Sequence, residues 1–336
     1  MKPILSIIVP FYNVEEYFED FLTSLLPIND NYEVILVNDG TKDKSRDIAL
    51  KFISKYKNVV LVDKENGGLS SARNFGFNKA NGEYVIFFDS DDYIENKLVI
   101  SEMLQKAITT NSDIVVAPYY EFTDLNHKKY RYDRHNFKDN LQNHDEIMET
   151  LFYNTSSLAV WNKIYKKEFL EINNLKFVEG KWFEDLDYIF RNYYVANKIS
   201  KVESVLLGYR QRDGSIMQTL SPKILDKLEI LDNLKCFLEK KNSYKRYEDG
   251  FKTIYIRMAF SIFFNAVTKT ANYSLSQAIV KKVFDNHLFI KFKKEGISNK
   301  KYMSKLEKII FILIKKGVIN QKNIFYIKNI AKIIRG

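Results

Sequence analysis

The sequence predicts an α/β fold, a mostly parallel sheet flanked by helices, followed by an α-helical C-terminal region. Three observations carry this prediction. Short β-rich runs alternate with amphipathic helices of about three turns through the first hundred residues, the pattern of a parallel sheet covered on both faces. Polar clusters and glycines fall where those strands stop, and sheets of this kind bind ligands outside the carboxyl ends of their strands. Charge divides the chain: residues 216–336 hold 25 Lys and Arg against 9 Asp and Glu, a net of +16, while the first 215 hold 27 against 33, a net of −6.

The elements follow in order. Residues 5–9 form a short apolar strand, and residues 14–26 have helical spacing through Tyr17, Phe18, Phe21, Leu22 and Leu25. A strand at 32–37, a helix at 45–56, a strand at 59–62, a helix at 70–80 and a strand at 84–88 complete the alternation. A helix from near Ile94 or residue 98 then leads to a strand at 113–117. The polar and aromatic stretch to about 145 reads as loop or hairpin. Residues 145–215 mix helix (147–153, 167–173, 186–196) with short strands, and from about 222 everything reads helical. In the last helix, 324–335, Ile324, Ile327, Ile330, Ala331 and Ile334 share one face, with Lys328, Lys332 and Arg335 on its flank. The organisation predicted is 1–110 and 111–216 as two halves of one α/β domain, then 217–336 as a basic helical region.

A chain of 336 residues suits two domains. Its 46% hydrophobic and 28% charged residues are ordinary globular composition. The single cysteine, Cys236, excludes an intramolecular disulfide. The apolar start meets Pro10 too soon for a signal peptide, and no run reaches the ~20 apolar residues of a membrane span. These features predict a cytoplasmic protein. The net charge of +10 raises the question of a polyanionic partner. No nucleic-acid reading motif accompanies the basic segment, whose charge lies on amphipathic helices. That points to an anionic membrane surface, as at the inner face of the plasma membrane, or to a homodimer through the C-terminal helices. A solvated face remains the plain alternative.

Chemistry concentrates at four strand ends: Pro10-Phe11-Tyr12-Asn13, Asn38-Asp39-Gly40-Thr41, Glu65-Asn66-Gly67-Gly68 and Asp89-Ser90-Asp91-Asp92. The last stops a buried strand in three carboxylates. Hard cations take oxygen ligands, so Mn²⁺ or Mg²⁺ shared between these acids and a substrate diphosphate accounts for them, as would N-capping of the next helix. Asp39 suits a ring N–H or ribose hydroxyl, or a plain Asp-Gly turn. Gly67 and Gly68 allow close backbone approach, and Arg73 suits a phosphate or carboxylate unless it is a surface residue. Glu184-Asp185 stand among aromatics at a helix start, where burial raises a carboxyl pKa toward that of a general base and where N-capping is the alternative. Arg210 and Arg212, in a glycine-containing loop, suit a departing diphosphate or form a solvated turn.

In their order, these clusters with Ala72-Arg73-Asn74, Trp161-Asn162-Lys163 and Tyr209-Arg210-Gln211-Arg212 resemble the motifs of family 2 glycosyltransferases, inverting enzymes of the GT-A fold. The resemblance covers roughly residues 3–216. It implies a Rossmann-like nucleotide-binding half, a nucleotide-sugar donor (usually a UDP-sugar) and a metal. By resemblance Asp39 contacts the base, Asp89 reaches ribose or metal, Asp91 faces the metal and Asp185 is the catalytic base, with Glu184 the other candidate. Pro10, Tyr12, Asn13, Asn38, Asn66, Gly67, Arg73, Ser90, Arg210 and Arg212 complete the expected donor-binding set. Asn38 departs from the pair of acids the family often carries there. The implied acceptor is a hydroxyl of a growing surface glycan on a lipid or protein carrier. A non-catalytic nucleotide-sugar-binding scaffold is the competing reading, and the complete acid set argues against it.

Overall fold

The computed structural model describes residues 2–123, 136–211, 220–268, 272–298 and 300–324, with the backbone alone for 128–133. The chain forms two compact units, residues 1–150 with 155–212, and residues 151–154 with 213–336.

The first unit begins with β1 (Leu5–Phe11), α1 (Phe18–Leu25), β2 (Tyr32–Asn38), α2 (Ser45–Lys55), β3 (Val59–Asp63), α3 (Leu69–Lys79) and β4 (Tyr84–Phe87). It continues with β5 (Tyr93–Ile94), α4 (Leu98–Thr110), β6 (Ile114–Val116), β7 (Tyr119–Thr123) and β8 (Lys128–Asp133). α5 (His144–Phe152) overlaps the boundary between the units, and β9 (Lys163–Lys166), α6 (Lys167–Ile172), α7 (Glu184–Val195), β10 (Ile199–Lys201) and β11 (Leu207–Arg210) complete the order. The main sheet runs β10-β6-β9-β4-β1-β2-β3, with β9 antiparallel to both neighbours and every other pairing parallel. All seven residues of β1 are buried, as a central strand covered on both faces requires. A second sheet runs β5-β11-β7-β8.

Register positions the site. Pro10 pairs with Val37, Phe11 with Asn38, Asn38 with Asp63, and Ile8 with Phe87. The chain therefore leaves β1, β2, β3 and β4 at one edge of the sheet, which gathers the four polar clusters. α3 lies against β1 and β2 at close range. A Cβ on Gly76 would stand 2.5 Å from Ile8 Cγ2 and 2.9 Å from Val37 Cγ2.

Several boundaries differ from the sequence reading, among them α5, which starts at His144 and not at 147. α1 starts at Phe18 because residues 14–17 form a turn, in which the Val14 N–H donates to Ser45 Oγ at 3.1 Å. No helix begins at Ile94: Tyr93–Ile94 instead pairs antiparallel with Leu207–Gly208, a contact between residues over a hundred positions apart. α7 begins at Glu184, two residues early, after Phe183 in a left-handed conformation at φ 65°. The stretch left as loop or hairpin contains the antiparallel pair β7–β8.

In the second unit α8 (Asp226–Lys240), α9 (Tyr244–Thr268), α10 (Tyr273–Asp285), α11 (His287–Glu295) and α12 (Lys305–Lys315) bury their apolar faces. Asn272 and Asn286 cap α10 and α11, and Ser304 with Glu307 forms a capping box on α12. On α12, Ile309 and Ile312 are exposed beside Lys305, Lys315 and Lys316. Beyond Ile324 the expected last helix lies outside the described residues, as does Arg212. No described helix is long and apolar enough to cross a membrane.

Gly76→Ala should lower the urea midpoint. Overpacking against Ile8 and Val37 costs about 1–3 kcal/mol, which outweighs the roughly 1 kcal/mol that alanine gains in helix propensity. An unchanged or raised midpoint would show that β1 and β2 yield to the methyl group.

Candidate active site

Asp39 organises the first part of the site. Buried just after β2, its Oδ1 accepts from Lys64 Nζ at 2.7 Å and the Gly67 N–H at 3.0 Å. Its Oδ2 accepts from the Gly68 N–H at 2.8 Å and Asn66 Nδ2 at 3.2 Å. The Asp-Gly turn is present, with Gly40 at φ 71°, but the carboxylate also ties the strand end to the loop before α3. Asn38 donates to Asp63 Oδ1 at 2.8 Å and accepts from the Thr41 N–H at 2.9 Å, so it serves the same loops as a neutral group. Asn13, at φ 50°, accepts from Thr41 Oγ1 and the Lys42 N–H. Pro10 is buried within β1, while Tyr12 is exposed beside it.

The second part is an ion cluster around Arg73, on the first turns of α3. Arg73 is 1% exposed. Nη2 donates to Asp89 Oδ1 at 2.7 Å, and Nη1 donates to both Glu184 Oε1 at 2.7 Å and Asp185 Oδ1 at 2.9 Å. The Phe177 ring lies 5.1 Å from the guanidinium and stacks on Tyr188. The neighbouring Asn74 exchanges two hydrogen bonds with the Phe177 backbone, each 3.0 Å. Burial works against the Arg73 charge, but Asp89, Asp185 and Glu184 more than offset it and hold the pKa above that of an ordinary arginine. The surface alternative for Arg73 is thus excluded. Neither acid caps α7, since Phe183 occupies that position. A bulky residue in the left-handed region is strained, and here it turns the chain so that both acids enter the first helical turn beside Arg73. Burial pushes Asp185 up to about 7; Arg73 opposes the rise, and Glu184 and Asp89 add to it. The Asp185 side chain stays 26% exposed.

The third part is the turn at residues 89–92. Ser90 and Asp92 are buried, while Asp89 and Asp91 are partly exposed. Arg210, the last residue of β11 rather than a loop residue, braces the turn from behind. Its N–H donates to Asp92 Oδ1 at 3.0 Å, its Nε to the Asp91 carbonyl at 2.8 Å and its Nη2 to Asp20. The Tyr17 and Phe122 rings lie 5.2 and 4.9 Å from its guanidinium. Asp92 Oδ2 is buried without a partner among the described residues. Burial pushes its carboxyl well above the usual range, with Asp91 and Asp89 adding to the rise and Arg210 opposing it. The turn therefore carries a concentrated negative potential, the environment a hard divalent cation suits. Among the described residues no three His, Cys, Asp or Glu side chains group as a protein-only metal site. A cation sharing one or two carboxylates with a diphosphate does not require such a group.

Sequence reasoning missed Lys64, Asp20 and Phe177 as parts of these networks. Asn74 was singled out only within Ala72-Arg73-Asn74, with no role assigned to it.

The acid turn and the buried arginine–carboxylate cluster stand at the carboxyl edge of this sheet, where α/β sheets bind ligands. The sequence profile described as glycosyl transferase family 2 matches residues 6–172. Glycosyltransferase GlyG of Streptococcus pneumoniae is 31% identical over 227 residues, 65% of this chain and 74% of GlyG. Glycosyltransferase GlyA of the same organism is 33% identical over 251 residues, 70% of this chain but 36% of GlyA, so the match spans about a third of that relative. Among solved structures, S. aureus TarS 1–349 in complex with UDP-GlcNAc shares the fold, with a TM-score of 0.57 at 22% identity, over 93% of this chain and 80% of that one. The chain belongs to glycosyl transferase family 2.

Asp92→Asn should be more stable than the parent at neutral pH. The native state holds the Asp92 proton more tightly than the unfolded chain, so stability is greatest below the ordinary carboxylate pKa and falls as pH rises toward the native value. The difference between variant and parent should grow from near zero at about pH 4 to about 1–3 kcal/mol at pH 7–8 in denaturant titrations. A difference independent of pH would contradict the assignment.

Proposed function

We propose that the protein moves a hexose or N-acetylhexosamine from a UDP-sugar, with inversion, to a hydroxyl of a growing glycan. Bacterial surface polysaccharide or glycoconjugate synthesis is the setting this reading favours. The observation that carries it is Asp185, a partly exposed carboxylate with a pKa near 7, held through Arg73 to the acid turn that ends β4. A base poised near the working pH abstracts a proton with the best balance of availability and strength.

In this reading the acceptor O–H gives its proton to Asp185 as its oxygen attacks the anomeric carbon. The bond from that carbon to the phosphate oxygen breaks on the opposite face, and UDP leaves with the bonding pair. Asp39 and its loop receive the base and Asp89 the ribose, while Tyr12, Asn13, Asn38 and Asn66 line the nucleotide side. A divalent cation, when bound, would be held by Asp91 with Asp89 and would supply positive charge to the leaving diphosphate. Similarity to glycosyltransferases GlyG and GlyA supports the transferase reading, and the fold shared with TarS, solved with UDP-GlcNAc, supports a UDP-sugar donor. The exposed Ile309 and Ile312 among lysines on α12 suit an anionic lipid surface carrying the acceptor.

Release of UDP from a panel of UDP- and GDP-sugars tests the reading. Turnover should rise with pH and reach half its maximum near pH 7, because only ionised Asp185 accepts the proton. Asp185→Asn should retain UDP binding and lose at least the ~10²–10⁴-fold typical of acid–base catalysis. Normal turnover by Asp185→Asn together with a dead Glu184→Gln would move the role to Glu184.

Asp91→Asn, or EDTA, should abolish Mn²⁺- or Mg²⁺-dependent turnover while leaving the melting temperature nearly unchanged. Full activity in EDTA would sink the metal assignment.

A further inference from the structure

We propose that Arg73 is a positioning residue that never touches the donor phosphates and instead fixes the catalytic base relative to the donor-side acid Asp89. The proposal rests on the reading of Glu184-Asp185 as the base pair. Both terminal guanidinium nitrogens are engaged: Nη2 by Asp89, and Nη1 by Glu184 and Asp185. Nε is buried out of solvent contact, without a hydrogen-bond partner among the described residues. A phosphate oxygen could reach Arg73 only by displacing a carboxylate, because the residue is 1% exposed.

Arg73 is framed by close contacts. α3 is seated on β1 and β2 where Gly76 has no room for a Cβ, and Asn74 bolts the helix to the Phe177 backbone. The Phe177 ring covers the guanidinium. Two nitrogens at a fixed separation thus span the end of β4 and the start of α7, residues 16 and more than 110 positions away in sequence. Asp185 is held by one oxygen, and its side chain keeps enough exposure to meet an acceptor. Only a planar fork can make this span. A lysine ammonium preserves the charge but is a single point on a flexible stem.

Arg73→Lys tests the role. We expect UDP affinity by calorimetry in Mn²⁺, and KM for the best-used UDP-sugar, to stay within threefold of the parent. kcat for UDP release should fall at least 100-fold. A rise of tenfold or more in the UDP Kd and the donor KM, with kcat retained, would overturn the proposal in favour of a phosphate contact. A lower melting temperature with kcat and KM both unchanged would overturn it in favour of a purely structural role. Should Arg73→Lys fail to fold, the charge-balanced pair Arg73→Gln with Glu184→Gln should fold, bind UDP normally and remain deficient in kcat. Parent-like kcat in that pair would equally overturn it. Asp185→Asn, measured alongside, separates this from the identity of the base. Arg73 holds both acids through Nη1, so the kcat loss in Arg73→Lys is expected whichever of them takes the proton.

Discussion

One buried cation organises the candidate site. Removing a guanidinium from water is costly unless its charge is met inside, and Arg73 meets it with three carboxylates from two distant segments, bound through Nη1 and Nη2. The exchange is not charge-neutral. Burial is the main cause that keeps Asp185 protonated up to about pH 7 even though it is ion-paired with Arg73, and the surplus negative charge of Glu184 and Asp89 adds to it. A more generous supply of cations would have left Asp185 a weak base. The cluster therefore both holds the acid and tunes it.

A second arginine does related work on the other side of the acid turn. Arg210 binds the Asp91 carbonyl and, through its own backbone N–H, the Asp92 carboxylate, while its side chain is packed between Tyr17 and Phe122. With Arg73 holding Asp89, the turn is fastened at both ends, and Asp91 remains partly open between the two anchors. Preorganised charge of this kind needs no reorganisation when a substrate arrives, which is where electrostatic catalysis gains most. Asp39 applies the same device on a smaller scale, accepting from Lys64, Asn66 and two glycine N–H groups to hold the loop before α3.

Most of the architecture was legible in the chain. Short, continuous apolar runs against 3.6-period helices located β1 to β4 and α2 and α3 within a residue or two, because each of these elements buries surface defined by its own sequence. The acid turn was legible for the same reason: charge at the end of a buried strand has no packing explanation. Elements that depend on distant partners were not. Tyr93–Ile94 is a strand only because Leu207–Gly208 runs beside it, and no local pattern announces a two-residue strand. Phe183 at φ 65° contradicts its own preference, so the true start of α7 could not be read locally.

The sequence by itself determined the fold class, the family and the set of polar residues that stand at the strand ends. These follow from local hydrophobic periodicity and from which residue types interrupt it. What only the tertiary structure decided is the partnership among those residues. From the sequence, Arg73 and Arg210 are equally suited to phosphates, because an arginine's chemistry is the same in either role. Burial separates the roles: Arg73 closes on Asp89, Glu184 and Asp185, and Arg210 on the turn at residues 89–92. Burial and proximity arise from contacts across more than a hundred residues of chain, and no window of sequence contains them.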